Sequence, residues 1–144
     1  MIEIVLLGKP VAKGRPRFNR ETGRAYTPEK TVKYETMLRY AAEQVMAGRP
    51  PLEGPLELDM LIVAPVPVSW AKKKQEAALA GEIKPTGKPD LDNFMKVVDS
   101  CNLVVWIDDS QVCVATLRKK YGTKPGLWLR VWPITNHDNE GIFD

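Results

Sequence analysis

Residues 111–132, QVCVATLRKKYGTKPGLWLRVW, decide the fold class. The runs 111–120 and 127–132 are rich in β-branched, aromatic and other apolar residues, which suit a pleated, half-buried surface. Between them YGTKPG has the composition of a turn and predicts a hairpin link. Two strands in direct succession do not fit a doubly wound sheet, where each strand is followed by a helix. Working back, residues 55–64 (PLELDMLIVA) alternate, with Leu56, Leu58, Met60 and Ile62 on one face and Glu57 and Asp59 on the other. Residues 1–7 (MIEIVLL) predict a first strand. Thr27-Pro28 opens a helix, with Thr27 as N-cap and Pro28 at the first helical position. Val32, Leu38, Ala41, Ala42 and Val45 supply its apolar stripe, and Gly48 with Pro50-Pro51 ends it. Ser69 is the expected cap of a short helix stopped by Gly81, and Asp92 or Asn93 the cap of a third helix to about residue 102. The order strand, helix, strand, helix, helix, strand, strand predicts a single-domain α+β layer fold. Residues 1–135 form the domain in this reading and 136–144 a polar tail.

Bulk properties narrow the function. A chain of 144 residues with 44% hydrophobic content is long enough for one core and is not globally disordered. Its apolar runs stop well short of the roughly 18 residues of a membrane span, so no membrane partner is expected. The start carries no basic segment ahead of its apolar stretch and reads as a strand, not a signal peptide. Cys101 and Cys113, without an export signal, predict reduced thiols in a cytoplasmic protein, and His137 sits in the tail as a poor ligand. The net charge of +3 hides a separation. Residues 9–24 hold Lys9, Lys13, Arg15, Arg17, Arg20 and Arg24 against Glu21, within a Gly/Pro-punctuated loop or ribbon spanning 8–26. Residues 118–124 add Arg118, Lys119, Lys120 and Lys124. Acidic charge gathers at Asp90, Asp92, Asp108 and Asp109. Each run alone reads equally well as a solvated surface. Basic segments beside an acidic cluster suit a protein that holds a polyanion and binds a metal.

The chemistry-bearing stretch is KPDLDNFMKVVDSCNLVVWIDDSQV, residues 88–112. Asp90 and Asp92 share one side of an extended backbone, and Lys96, four residues beyond Asp92, faces back toward them on a helix. Asp108 and Asp109 follow an apolar run, an arrangement that can bring a third carboxylate to the first two. Phosphodiester hydrolysis needs such groups: carboxylates hold Mg²⁺, and a lysine neutralises charge that develops at phosphate. An EF-hand is excluded, because Met95 and Cys101 stand where its glycine and glutamate would be required.

KPDLDN, a lysine four residues after its second aspartate, and an aspartate pair followed by SQV together resemble RusA-type Holliday-junction resolvases. The N-terminal half, with Pro10-Val11-Ala12-Lys13-Gly14-Arg15-Pro16-Arg17 and Tyr26-Thr27-Pro28, resembles the variant of that family common in phages and prophages. The resemblance spans about residues 4–132. It implies that Asp90, Asp92 and Asp109 are catalytic metal-binding carboxylates, that Lys96 is the essential lysine, and that Asp108 is an acidic neighbour counted with the metal set. It further implies a single-domain mixed β-sheet with helices packed on it, Mg²⁺, with Mn²⁺ as a substitute, a homodimer with one site per subunit, and paired cuts across a four-way DNA junction. Lys13, Arg15, Arg17, Arg20, Arg24 and Lys88 are the expected DNA contacts, free to reach phosphates. Asp99 falls outside the core set. A non-catalytic branched-DNA-binding protein would explain the basic loop equally well, but it would not need three carboxylates and a lysine. A metal-nucleotide transferase would need a larger chain.

Overall fold

The computed structural model describes residues 1–135; the tail assigned to 136–144, with His137, lies outside the described residues. Strand β1 (Ile2–Leu7) leads into a ribbon of β2 (Arg17–Asn19) and β3 (Arg24–Tyr26), followed by helix α1 (Glu29–Met46) and strand β4 (Leu56–Pro65). Next come α2 (Lys72–Leu79), α3 (Leu91–Met95), two 3-10 turns at Lys96–Cys101 and Asp109–Gln111, then β5 (Val112–Gly122) and β6 (Gly126–Pro133). The main sheet has the order β1-β6-β4-β5, with β4 and β5 parallel and the other pairs antiparallel. This is the expected α+β mixed sheet, and α1 and the 96–101 turn pack on one of its faces.

The expected hairpin link does not form, because β4 lies between β5 and β6 and pairs with both. The burial pattern gives the reason. On β4, Leu56, Leu58, Met60 and Ile62 are buried on one face, and Val63 is buried on the other. A strand covered on both sides near its end belongs inside the sheet. Strand β5 is mostly exposed and carries Arg118, Lys119 and Lys120, which suits an edge that must not recruit another strand.

The helix boundaries also shift. Pro28, not Thr27, occupies the cap position of α1, and its carbonyl accepts the first bond from Val32 N at 3.1 Å. The buried stripe runs through Thr31, Tyr34, Leu38, Ala42 and Met46, while Val32 is exposed. Starting the helix one residue later does not move the side chains; the expected stripe simply included a residue one step off the 3.6-residue face. Ala71 replaces Ser69 at the cap of α2, and Gln75 Nε2 holds that turn by donating to Trp70 O at 2.8 Å. The third helix begins at Leu91, with Asp90 rather than Asp92 or Asn93 at its cap position, and tightens into a 3-10 turn from Lys96.

Trp106 anchors the end of this segment. It is fully buried, and its indole nitrogen donates to Asn102 Oδ1 at 2.6 Å. The intervening Leu103 adopts a left-handed φ of 67° while exposed, and its N–H reaches Trp106 O at 2.6 Å. A non-glycine residue in that region is strained, so burial of Trp106 holds the turn closed. Trp106→Ala should lower the unfolding free energy by about 3–5 kcal/mol, as truncation of a buried large aromatic does, read from urea melts. A loss below about 1 kcal/mol would remove Trp106 as the anchor.

Candidate active site

Parallel pairing of β4 with β5 requires a long crossover, and residues 66–111 supply it. Its middle is tethered by Phe94, Val97, Val98 and Cys101, all buried against the sheet. That anchoring turns the opposite side of α3 outward. Asp90, Asp92, Asn93 and Lys96 line a cleft of about 290 Å³ together with Lys13, Gly14, Arg15 and Pro16. Asp90 sits at the helix start with an exposed carboxylate that makes no capping hydrogen bond. Lys96 Nζ lies 3.8 Å from Asp92 Oδ2 and 3.3 Å from Asn93 Oδ1. Both partners of this ion pair are exposed, so it is weak, and its charges stay available to a ligand.

The loop bearing Arg15 is fixed from beneath. Lys13 N donates to Asn93 O at 2.9 Å, tying the loop to α3. The Lys13 ammonium lies 2.8 Å from Asp99 Oδ2 and 3.7 Å from Glu35 Oε1, with its side chain only 28% exposed. The hydrogen bond to Asp99 raises the Lys13 pKa against the effect of burial. Lys13 therefore is not the free phosphate contact expected of it. Burial pushes the Glu35 carboxyl up to about 7; Asp99 beside it adds to the rise, and Lys13 opposes it.

The remaining expected residues divide. Asp108 and Asp109 lie on the turn before β5, outside the residues lining the cleft. Asp108 is committed to that turn: Oδ1 accepts from Asn102 Nδ2 at 3.2 Å and Oδ2 from Ser110 N at 3.3 Å. The Ser110 hydroxyl and amide hold its carboxyl below the usual range. Among the described residues, no group of three or more His, Cys, Asp or Glu side chains forms a ready-made metal cage. Arg17, Arg20 and Arg24 stand exposed on the ribbon, a sheet separate from the main one. Phe18 and Tyr26 are interleaved with them, 65% and 48% exposed. Lys88 lines a neighbouring cleft.

Several residues that build the site have weak sequence signals. Gln111 clamps the aspartate turn: Oε1 accepts from Ile107 N at 2.9 Å and Asp108 N at 3.1 Å, while Nε2 donates to Leu52 O and Gly54 O at 3.0 Å each. Its signal was its place in SQV. Asp99 and Glu35 meet Lys13 only through the tertiary fold, which local spacing does not encode.

A mixed α+β sheet whose crossover presents paired aspartates and a lysine opposite a basic loop has the fold and the groups of a nuclease that acts on a polyanion. The family described as Endodeoxyribonuclease RusA matches residues 8–132, and the chain belongs to that family. It is also similar to protein YqaN of Bacillus subtilis (strain 168), itself uncharacterised, with 36% identity over 129 residues, covering 86% of this chain and 90% of that protein. Among the described residues, no helix is long and apolar enough to cross a membrane.

Glu35 gives the site a pH signature. Its folded pKa of about 7 exceeds its ordinary 4.5, so the folded state binds more protons across that interval. Stability from this group is present below the lower value and is lost as pH rises through the upper one. Glu35→Gln removes the dependence. Between about pH 5 and about pH 8, the urea midpoint of the wild type should fall relative to that of the variant. Parallel curves would show that Glu35 titrates alike in both states.

Proposed function

We propose that the chain is a Mg²⁺-dependent, structure-selective endodeoxyribonuclease that resolves four-way junctions by paired phosphodiester hydrolysis, working as a homodimer in DNA recombination and repair in the cytoplasm. The observation that carries this reading is the cleft that Asp90, Asp92 and Lys96 line together with Arg15. Its donors are oxygens, the ligands Mg²⁺ prefers, and two carboxylates suffice when the substrate phosphate supplies further oxygens. Asp90 and Asp92 would hold the ion, with Asp109 as the third carboxylate of the set and Asp108 beside it shaping the turn. Mn²⁺ offers the same donor preference. Bound there, the ion would lower the pKa of a water and offset charge at the phosphate.

The chain's own groups do the rest. Lys96 sits within reach of the carboxylates and lends positive charge where negative charge develops on the phosphate or leaving oxygen. Arg15 lines the same cleft. The ribbon arginines Arg17, Arg20 and Arg24, with Lys88, hold flanking phosphates. A homodimer suits a junction of near two-fold symmetry, because paired cuts need two sites in fixed relation. Trp128 and Trp132, half-buried on the outer face of the sheet, are candidates for the subunit contact; Val63, already buried within its own chain, is not.

Purified protein incubated with a synthetic four-way junction should cut it in Mg²⁺, neither without metal nor on linear duplex. Asp90→Asn, Asp92→Asn and Asp109→Asn should abolish cutting and keep junction binding, since an amide has nearly the same size but is a poorer Mg²⁺ ligand. Lys96→Ala should lose about 10²-fold or more in turnover with little change in binding. Normal cutting by Asp90→Asn would overturn the metal assignment and favour the non-catalytic DNA-binding reading.

Phosphate contacts release counterions, so junction affinity should fall steeply with salt. Arg15/Arg17/Arg24→Ala should flatten the log–log slope by about 0.9 for each duplex-arm phosphate that is no longer neutralised. An unchanged slope would move DNA binding to 118–124.

A further inference from the structure

Beside the catalytic cleft lies a larger one, of about 500 Å³, of which the reading above uses only Lys88. Its walls are apolar: Pro10, Ala64, Val66, Pro67, Phe94 and Tyr121. Three lysines, Lys9, Lys88 and Lys119, also line it, and no acidic residue does. Lys119 Nζ donates to Gly87 O at 2.8 Å and Pro89 O at 3.1 Å, holding the 87–89 loop as one wall. Lys9 and Lys88 are exposed and make no ion pair among the described residues. Tyr121 is set in place by Trp70, whose ring meets it edge-on at 5.4 Å and 71°, and Lys74 lies 4.0 Å over that Trp70 ring.

The two clefts share their walls. Residues 9–16 run from one to the other, with Lys9 and Pro10 lining the apolar cleft and Lys13 to Pro16 the catalytic one. Residues 87–96 do the same: Pro89 and Phe94 face the apolar cleft, while Asp90, Asp92 and Lys96 face the catalytic one. Pro89 and Asp90 are consecutive, so their Cα atoms are about 3.8 Å apart. A ligand group seated in the apolar cleft is therefore next to the chemistry.

An apolar floor under a cationic rim asks for an occupant with a flat apolar part and adjoining anions. A purely apolar ligand would leave the lysines unanswered, and a bare phosphate would leave the apolar walls empty. A nucleotide carries both. We propose that this cleft receives one unstacked nucleobase of the strand being cut, beside the scissile phosphate, with Lys9 and Lys88 on flanking phosphates. The inference rests on the nuclease reading above and adds to it a base-binding site. Enzymes whose target is a base take it out of the stack and hold it against aromatic or apolar side chains, and single-strand-binding proteins stack bases on such side chains; the same contacts are offered here. A base held this way would let the protein discriminate at the cut.

The test uses the full chain in EDTA, where junctions remain uncut, and measures binding by fluorescence anisotropy. Junctions each carry one abasic nucleotide, stepped through the positions flanking the cut. The wild type should lose about tenfold in affinity at one position, the scale of one base–aromatic stack. Ala64→Phe fills the cleft beside Tyr121, its cross-strand partner. It should bind the intact junction more weakly and be indifferent to the abasic position. Tyr121→Ala removes the aromatic wall and provides the same comparison if the larger side chain prevents folding. Equal wild-type affinity across the whole abasic series, or unchanged abasic sensitivity in both variants, would overturn the proposal. So would conversion of a dimer to a monomer by Ala64→Phe, since a second copy would then cover the cleft. A wild type that cuts junctions in Mg²⁺ but ignores every abasic position rejects the base site alone. A wild type that binds no junction rejects the nuclease reading, and the base site with it.

Discussion

Two strands that run in the same direction cannot be joined by a tight turn; the chain must travel the length of the sheet before the second begins. In this protein that constraint falls between β4 and β5, and residues 66–111 are the consequence. The crossover contains α2, α3, both 3-10 turns and each aspartate of the candidate site. It is pinned to the sheet by Phe94, Val97, Val98 and Trp106, whose burial leaves the polar face of α3 outward. The edge position of β5 then sets the basic residues of 118–120 at the same end of the molecule as the crossover loop, where Lys119 grips Gly87 and Pro89.

Charge is arranged in two tiers on this frame. The inner tier, Lys13 with Asp99 and Glu35, is partly buried and its members satisfy one another. Removing Lys13 would leave two neighbouring, partly buried carboxylates without their cation, so the lysine keeps the 13–16 loop against α3. The outer tier, Asp90, Asp92, Lys96 and the ribbon arginines, is exposed and loosely paired. Such groups are little stabilised by their neighbours in water and gain most when a polyanion or a cation displaces solvent from them. A rigid inner tier beneath a free outer one is what a site needs when its ligands arrive from solution.

Local pattern carried the fold a long way. The alternation of Leu56 to Ile62 fixed one strand and its buried face, and the Gly/Pro punctuation of 8–26 correctly marked an exposed loop or ribbon. The partner of β6 was not legible. YGTKPG has turn composition whether the flanking strands pair with each other or straddle a third, and only the two-sided burial at Val63 distinguishes these. The site follows the same rule. Asp90, Asp92 and Lys96 are close in sequence and share a cleft. Lys13 and Asp99 stand 86 positions apart, so they meet only once α1 and the crossover pack together. Treating Lys13 as one more basic loop residue overlooked that a lysine between Ala12 and Gly14, in a segment packed on the core, can turn inward to an acid.

The ribbon is built the opposite way from the crossover. β2 and β3 bond only to each other, and their aromatic residues Phe18 and Tyr26 are exposed instead of joining the core. A two-stranded ribbon of that kind is marginal alone in water, and its exposed aromatics gain nothing from folding that the core could supply. Its register places Arg17 opposite Tyr26 and Asn19 opposite Arg24, so cations and a ring share one face. Side chains of those types reach phosphates and base faces respectively. The crossover instead carries the candidate site on backbone anchored by buried residues, among them Phe94, Val97 and Val98. The ribbon pairs only within itself, so a ligand that engages its arginines and rings need not disturb the sheet that carries the cleft.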